Sequence, residues 1–347
     1  MAWLSRALPR FVLGLFALLA VAVPAVLLAP RQAVTAAQQA GGPQEPTKLD
    51  PAAWGGDHVG QPIPPYMESG ECLFCHRDKV GATWGKNRHN RTIRDAEVGE
   101  PAMTALRANR STQELAKQVQ LLLGGPHANR YLRRAKEYGH VEMLSVAATK
   151  GRGDRARLEH ADNPHWDQKT FAQACAGCHA TAVDVKTQAF SAVALDCYSC
   201  HGDATEAHAN DPTLMPLARN RNDPPRVVIS ICASCHVRFG KSNTSRLPYA
   251  NNFVAGDNLF RDFHFDFALA DDPKVNPADR HVLANVRDVI VGGQESMTCL
   301  SCHDVHAGSN RRHRDVADQK YCLQCHVEGK DKKQLVPYEV HSERCQY

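Results

Sequence analysis

The chain has 347 residues, 43% of them hydrophobic, and a formal charge of +4 from 41 basic and 37 acidic side chains. That length suffices for one large or two ordinary domains, and charges so evenly spread exclude the basic stripe a nucleic-acid partner needs. Thirteen cysteines and eighteen histidines exceed the needs of an ordinary soluble enzyme, so the cysteines must be explained first.

At the N-terminus, Arg6 and Arg10 precede an apolar run from Phe11 to Ala29, followed by the small stretch Val34-Thr35-Ala36. Residues 1–36 therefore read as an export signal with a cleavage site. The run is also nearly long enough to span a bilayer, which makes an uncleaved membrane tether the alternative. Both place the remainder outside the cytoplasm, in a periplasm or an equivalent space. Residues 37–68, rich in Gly, Pro and Gln, read as a flexible leader.

The first haem segment spans 69–110 and opens on Cys72-Leu73-Phe74-Cys75-His76, a Cys-x-x-Cys-His motif that occurs six times in the chain. Two thiols at this spacing reach the two vinyl groups of one haem and form thioethers, and the following histidine then meets the iron. Zinc sites, redox dithiols and disulfides all use paired cysteines, but none requires a histidine after each pair. With histidine at about one residue in twenty, six such hits by chance come to roughly 10⁻⁸. The expected cofactor is therefore haem c, six copies, covalently attached. His89 lies thirteen residues beyond His76, with Trp84 between them, and is a candidate second ligand.

Residues 111–170 carry no attachment motif and form a haem-free insert. Ser111-Thr112-Gln113-Glu114 resembles a capping box before an apolar run that stops at Gly124-Gly125, which predicts a helix. Val119 to Leu123 would equally suit a buried strand, and 141–148 a second short one.

The five-haem segment, 171–347, holds the remaining motifs. The second motif is Cys175, Cys178 and His179, and the third is Cys197, Cys200 and His201. The fourth is Cys232, Cys235 and His236, the fifth Cys299, Cys302 and His303, and the sixth Cys322, Cys325 and His326. Asn276-Pro277 starts and Gly292 stops a helix whose apolar stripe is Val282, Leu283, Val286, Val289 and Ile290. His281 falls away from that stripe, which weakens it as a ligand. In Asp262-Phe263-His264-Phe265-Asp266-Phe267, extended backbone would place the Phe side chains on one face and His264 with both Asp on the other. The fold expected is mainly α with much irregular coil, a haem-dominated core and a small β insert.

Six motif histidines leave twelve others, enough to give every iron a second ligand. His208 and His306 follow their own motif histidines by seven and three residues, too few for the chain to pass around the same macrocycle. If they bind iron, they bind a neighbouring haem. His341 sits after the last motif, where a final ligand is needed. Cys345 is left over as a tail cysteine.

The chain resembles the multihaem c-type cytochromes related to octahaem and tetrahaem cytochromes of nitrogen and metal respiration. The resemblance is carried by Cys72 to His89, Gln173 to Thr181, Asp196 to His208 and Thr298 to His306. It implies haems stacked in parallel and perpendicular pairs, with His89, His208 and His306 as distal ligands. The departure is at Gln294-Glu295, where relatives often carry a histidine. The function expected is electron transfer between redox protein partners, a donor and an acceptor, with no catalytic residue assigned. The alternative is a multihaem oxidoreductase with one open haem acting on a small nitrogen or sulfur compound.

Overall fold

The computed structural model describes residues 63–290 and 298–307, apart from 126, 152–154, 205 and 220. All of these lie in one compact unit, Glu45–Tyr347. The signal or anchor of 1–36 and most of the leader lie outside the described residues. So does the whole sixth motif, expected at Cys322, Cys325 and His326, together with the expected ligand His341 and the tail residue Cys345.

The expected mainly α fold is not what forms. Helix accounts for 36% and strand for 19% of the interpretable residues, with a multi-stranded antiparallel sheet. Its strands are β1 (Ile93–Asp95), β2 (Leu121–Gly124), β3 (Ala128–Arg134), β4 (Val141–Lys150), β5 (Ala156–Glu159) and β6 (Trp166–Asp167). They pair antiparallel in the order β1-β2-β3-β4-β5, with β6 also on β4. The predicted helix after Ser111 shrinks to Gln113–Ala116, and the apolar run goes into β2.

Burial explains the outcome. Leu121, Leu123, Leu132, Val141 and Met143 pack on one face with Phe171, Ala176 and Phe190. Leu122, Tyr131, Leu144, Val146 and Ala148 pack on the other beneath Met103 and Leu106. Each fully buried side chain of this size stabilises the fold by about 1.5–3 kcal/mol, and only period-2 backbone delivers alternate residues to two opposite layers. The β2–β3 hairpin closes at Gly124, whose φ of +120° and close approach to the Ala128 carbonyl, 2.2 Å from where a Cβ would stand, require glycine.

Helices α1 (Ser69–His76), α2 (Pro101–Ala108), α3 (Gln113–Ala116), α4 (Thr170–Ala174), α5 (Ala176–His179), α6 (Cys197–His201), α7 (Pro225–His236), α8 (Pro277–Ile290) and α9 (Cys299–Cys302) complete the frame. Helix α2 covers the outer face of the sheet, whereas α5 and the hairpin β7 (Ala180–Val183)–β8 (Phe190–Val193) meet its inner face. Helix α8 forms as the Asn276-Pro277 start predicts and buries Leu283 and Val286 against α7. Phe263-His264 is a two-residue strand with Phe263 buried and His264 exposed. Asp262 does not share the exposed face with His264: it is buried, accepting from Ser242 Oγ at 2.5 Å and from Thr244 Oγ1 at 2.9 Å.

Candidate haem sites

Five motifs fall within the described residues, each with its first cysteine in or next to a helix and its histidine at or just past the helix end. The sixth, with Cys322, Cys325 and His326, is not among them. A helical turn puts the two cysteines, three residues apart, on one side. Asp196 caps α6, its carboxylate accepting from the Tyr198 amide at 3.0 Å and from the Tyr66 hydroxyl at 2.5 Å. Burial pushes that carboxyl above the usual range, and the Tyr66 hydrogen bond opposes the shift. Gly202, at φ +64°, ends α6 directly after His201. Thr298 opens α9, its amide donating to Ser301 Oγ at 3.1 Å.

The histidines come together in pairs drawn from separate parts of the chain. His76 and His208 face each other with ring centroids 6.1 Å apart and planes 22° off parallel. His201 and His306 stand 6.0 Å apart at 28°. His236 and His89 stand 6.0 Å apart at 83°. His208 and His306 thus each face a motif histidine other than the one they follow. His303 lies close enough to His89 and His236 to depress both electrostatically. His179 is half-buried at the end of α5, and its buried Nδ1 has no hydrogen-bond partner among the described residues.

This spacing fits a shared metal. An imidazole nitrogen sits about 2 Å from a bound transition metal, so two rings on opposite sides of one ion have centroids about 6 Å apart. Parallel and crossed pairs both suit, because each ring can turn about its own metal–nitrogen axis. Protonation and tautomer agree. Burial holds His89, His179, His201, His236 and His306 below the usual imidazole range, which favours the neutral, ligating form. His201 Nδ1 donates to the Pro216 carbonyl at 2.8 Å and His89 Nδ1 to Asn87 Oδ1 at 3.2 Å. Each bond leaves Nε2 as the acceptor nitrogen, the usual support of a metal-bound histidine. Among the described residues no three His, Cys, Asp or Glu side chains converge as a bare metal ion would need. The donor set fits iron held in a macrocycle between paired imidazoles.

Sequence reasoning missed Asn87, which locks the His89 loop to the segment bearing His306. Its side-chain amide donates to the carbonyls of Val305 at 2.8 Å and Ala307 at 2.7 Å, and Trp84 meets the His306 ring edge-on at 6.4 Å. No local pattern announces a bond that spans 218 positions. Tyr249 was missed as well. Its ring lies where a Cβ on Gly177 would stand, and its hydroxyl donates to the Ala172 carbonyl at 2.5 Å.

Two stretches match family models: residues 165–248 match cytochrome c3, and residues 291–331 match the doubled CXXCH motif. The second stretch takes in Cys322, Cys325 and His326 as well as the fifth motif. No curated protein matches the chain. Among solved structures, the undecaheme cytochrome from the S-layer of Carboxydothermus ferrireducens is similar at 15% identity and a TM-score of 0.42. That similarity covers 77% of this chain and 43% of the other, so this chain spans less than half of that protein's length. The family matches support a multihaem c-type cytochrome, with haem c covalently bound at the motifs and electron transfer as its work.

Proposed function

We propose that the chain is an extracytoplasmic hexahaem electron carrier in which most irons are held by two histidines. The observation that carries this is the set of three facing histidine pairs, each at the separation a shared metal requires and each joining a motif to a distant segment. The proposed pairs are His76 with His208, His201 with His306 and His236 with His89. The bound group would supply iron that cycles between ferrous and ferric states. The chain's residues would fix each macrocycle through two sulfurs, supply the imidazoles that hold the iron and keep water from it. The sixth attachment, through Cys322 and Cys325 with His326 on the iron, belongs to the proposal, as does His341 as a ligand. So do redox protein partners and a periplasmic location with the N-terminal segment as signal or tether.

Intact-mass measurement of the mature protein should show six haem increments, and paramagnetic resonance should show chiefly low-spin ferric iron. A bare polypeptide mass after expression with working cytochrome maturation would overturn the proposal. A high-spin signal from one iron of the six would instead favour the alternative, an open haem that acts on a small nitrogen or sulfur compound.

A further inference from the structure

We infer that helix α7, Pro225–His236, is the junction of a branched haem array, the fourth motif touching three others while the first sits at an outer end. The inference rests on haem attachment at each motif, as proposed above. Cys299 of the fifth motif packs against the α7 cluster containing Ile229 and Ala233. On the neighbouring turn the second motif meets α7: Cys235 Sγ donates to the Gly177 carbonyl at 3.6 Å, and Cys178 Sγ to that of Ser234 at 3.9 Å. Cys200 of the third motif packs against Val227 and Ile231 of the same helix.

The first motif differs. Its helix α1 meets the third motif, the Cys197 amide donating to Ser69 Oγ at 3.3 Å, while Cys75 is exposed and Phe74 is 88% exposed. A thioether sulfur bonds to the carbon left by a vinyl group, one bond from the porphyrin rim. Motifs whose cysteines pack on a shared element would therefore set the rims of their macrocycles side by side. The contacts define the order first–third–fourth, with separate branches from the fourth to the second and to the fifth. Helix α7, twelve residues long, carries all three contacts. Its ridge of Val227 and Ile231 takes the third motif, Cys235 takes the second, and the cluster with Ile229 and Ala233 takes the fifth.

A crystal structure of the mature, full-length holoprotein, with irons located by anomalous scattering, tests this directly. The macrocycle on Cys232 and Cys235 should touch three others. The one on Cys72 and Cys75 should touch only that on Cys197 and Cys200 among the five described motifs. If the macrocycle of the fourth motif touches two or fewer, the junction is wrong while the hexahaem reading stands. Irons absent from the motifs would sink that reading, and the junction with it.

Discussion

A neutral histidine buried in protein is costly to place without a partner for its bare nitrogen. His201 and His89 solve half of this with Nδ1 bonds to Pro216 and Asn87. In the proposed arrangement their remaining nitrogens would bind iron shared with His306 and with His236. Removing one ring of a pair should leave the attached haem in place with one ligand fewer. His208→Ala should convert about one-sixth of the low-spin haem to high-spin, and His306→Ala another sixth, as read by optical and paramagnetic resonance spectra. The double variant should show the sum, because the two side chains are assigned to different irons. If either single variant keeps its full low-spin signal, the facing geometry of that pair is not ligation.

Among the elements, β3 and β4 carry the polar counterpart of this arrangement. Arg133 and Glu142 are directly opposed across the two strands. The guanidinium pairs with the carboxylate, lies 4.5 Å above the Trp166 ring centroid, and Gln168 donates to the other Glu142 oxygen at 3.0 Å. Arg133 is the main reason the Glu142 carboxyl stays below its usual range. A carboxyl depressed by folding contributes stability above its unfolded value and loses it as pH falls through the folded one. Thermal melts should therefore show Glu142→Gln less stable than the parent by about 1 kcal/mol near neutrality. The gap should close below about pH 4. An undiminished gap at low pH would mean that packing, not charge, explains the loss. The same strands show where sequence reading stops. The motifs were legible because their chemistry is local, and α8 because its stripe and its Asn276-Pro277 start agree. Residues 141–148, read as a short strand, form most of β4, although burial on both faces leaves Val141 to Ala148 without polar alternation. Strand β3 was invisible because only Tyr131 and Leu132 of its seven residues are buried. The run Leu121–Leu123 followed a sound capping pattern but became strand, since β1 and β3 supply partners on both edges.

Over the whole described molecule, two kinds of stabilisation meet along the inner face of the sheet. The sheet has apolar clusters on both faces, the outer built with α2 and α3 and the inner shared with Phe171 of α4, Ala176 of α5 and the β7–β8 hairpin. The motif helices α5, α6 and α9 are only four or five residues long, far short of the roughly twelve an isolated helix needs to be even marginal in water. Their order must come from what they bind and from each other. Expressing the chain without haem attachment, with all motif cysteines changed to alanine, should therefore separate the two parts. In hydrogen exchange followed by mass spectrometry, the amides of β2 to β4 should stay protected while those of α5, α6 and α9 exchange rapidly. Helix α7, with Ile229 and Ala233 packed on Leu283 and Val286 of α8, should fall between. Equal loss of protection across sheet and motifs would show that haem organises the entire fold, and that the sheet's two apolar faces cannot hold it together alone.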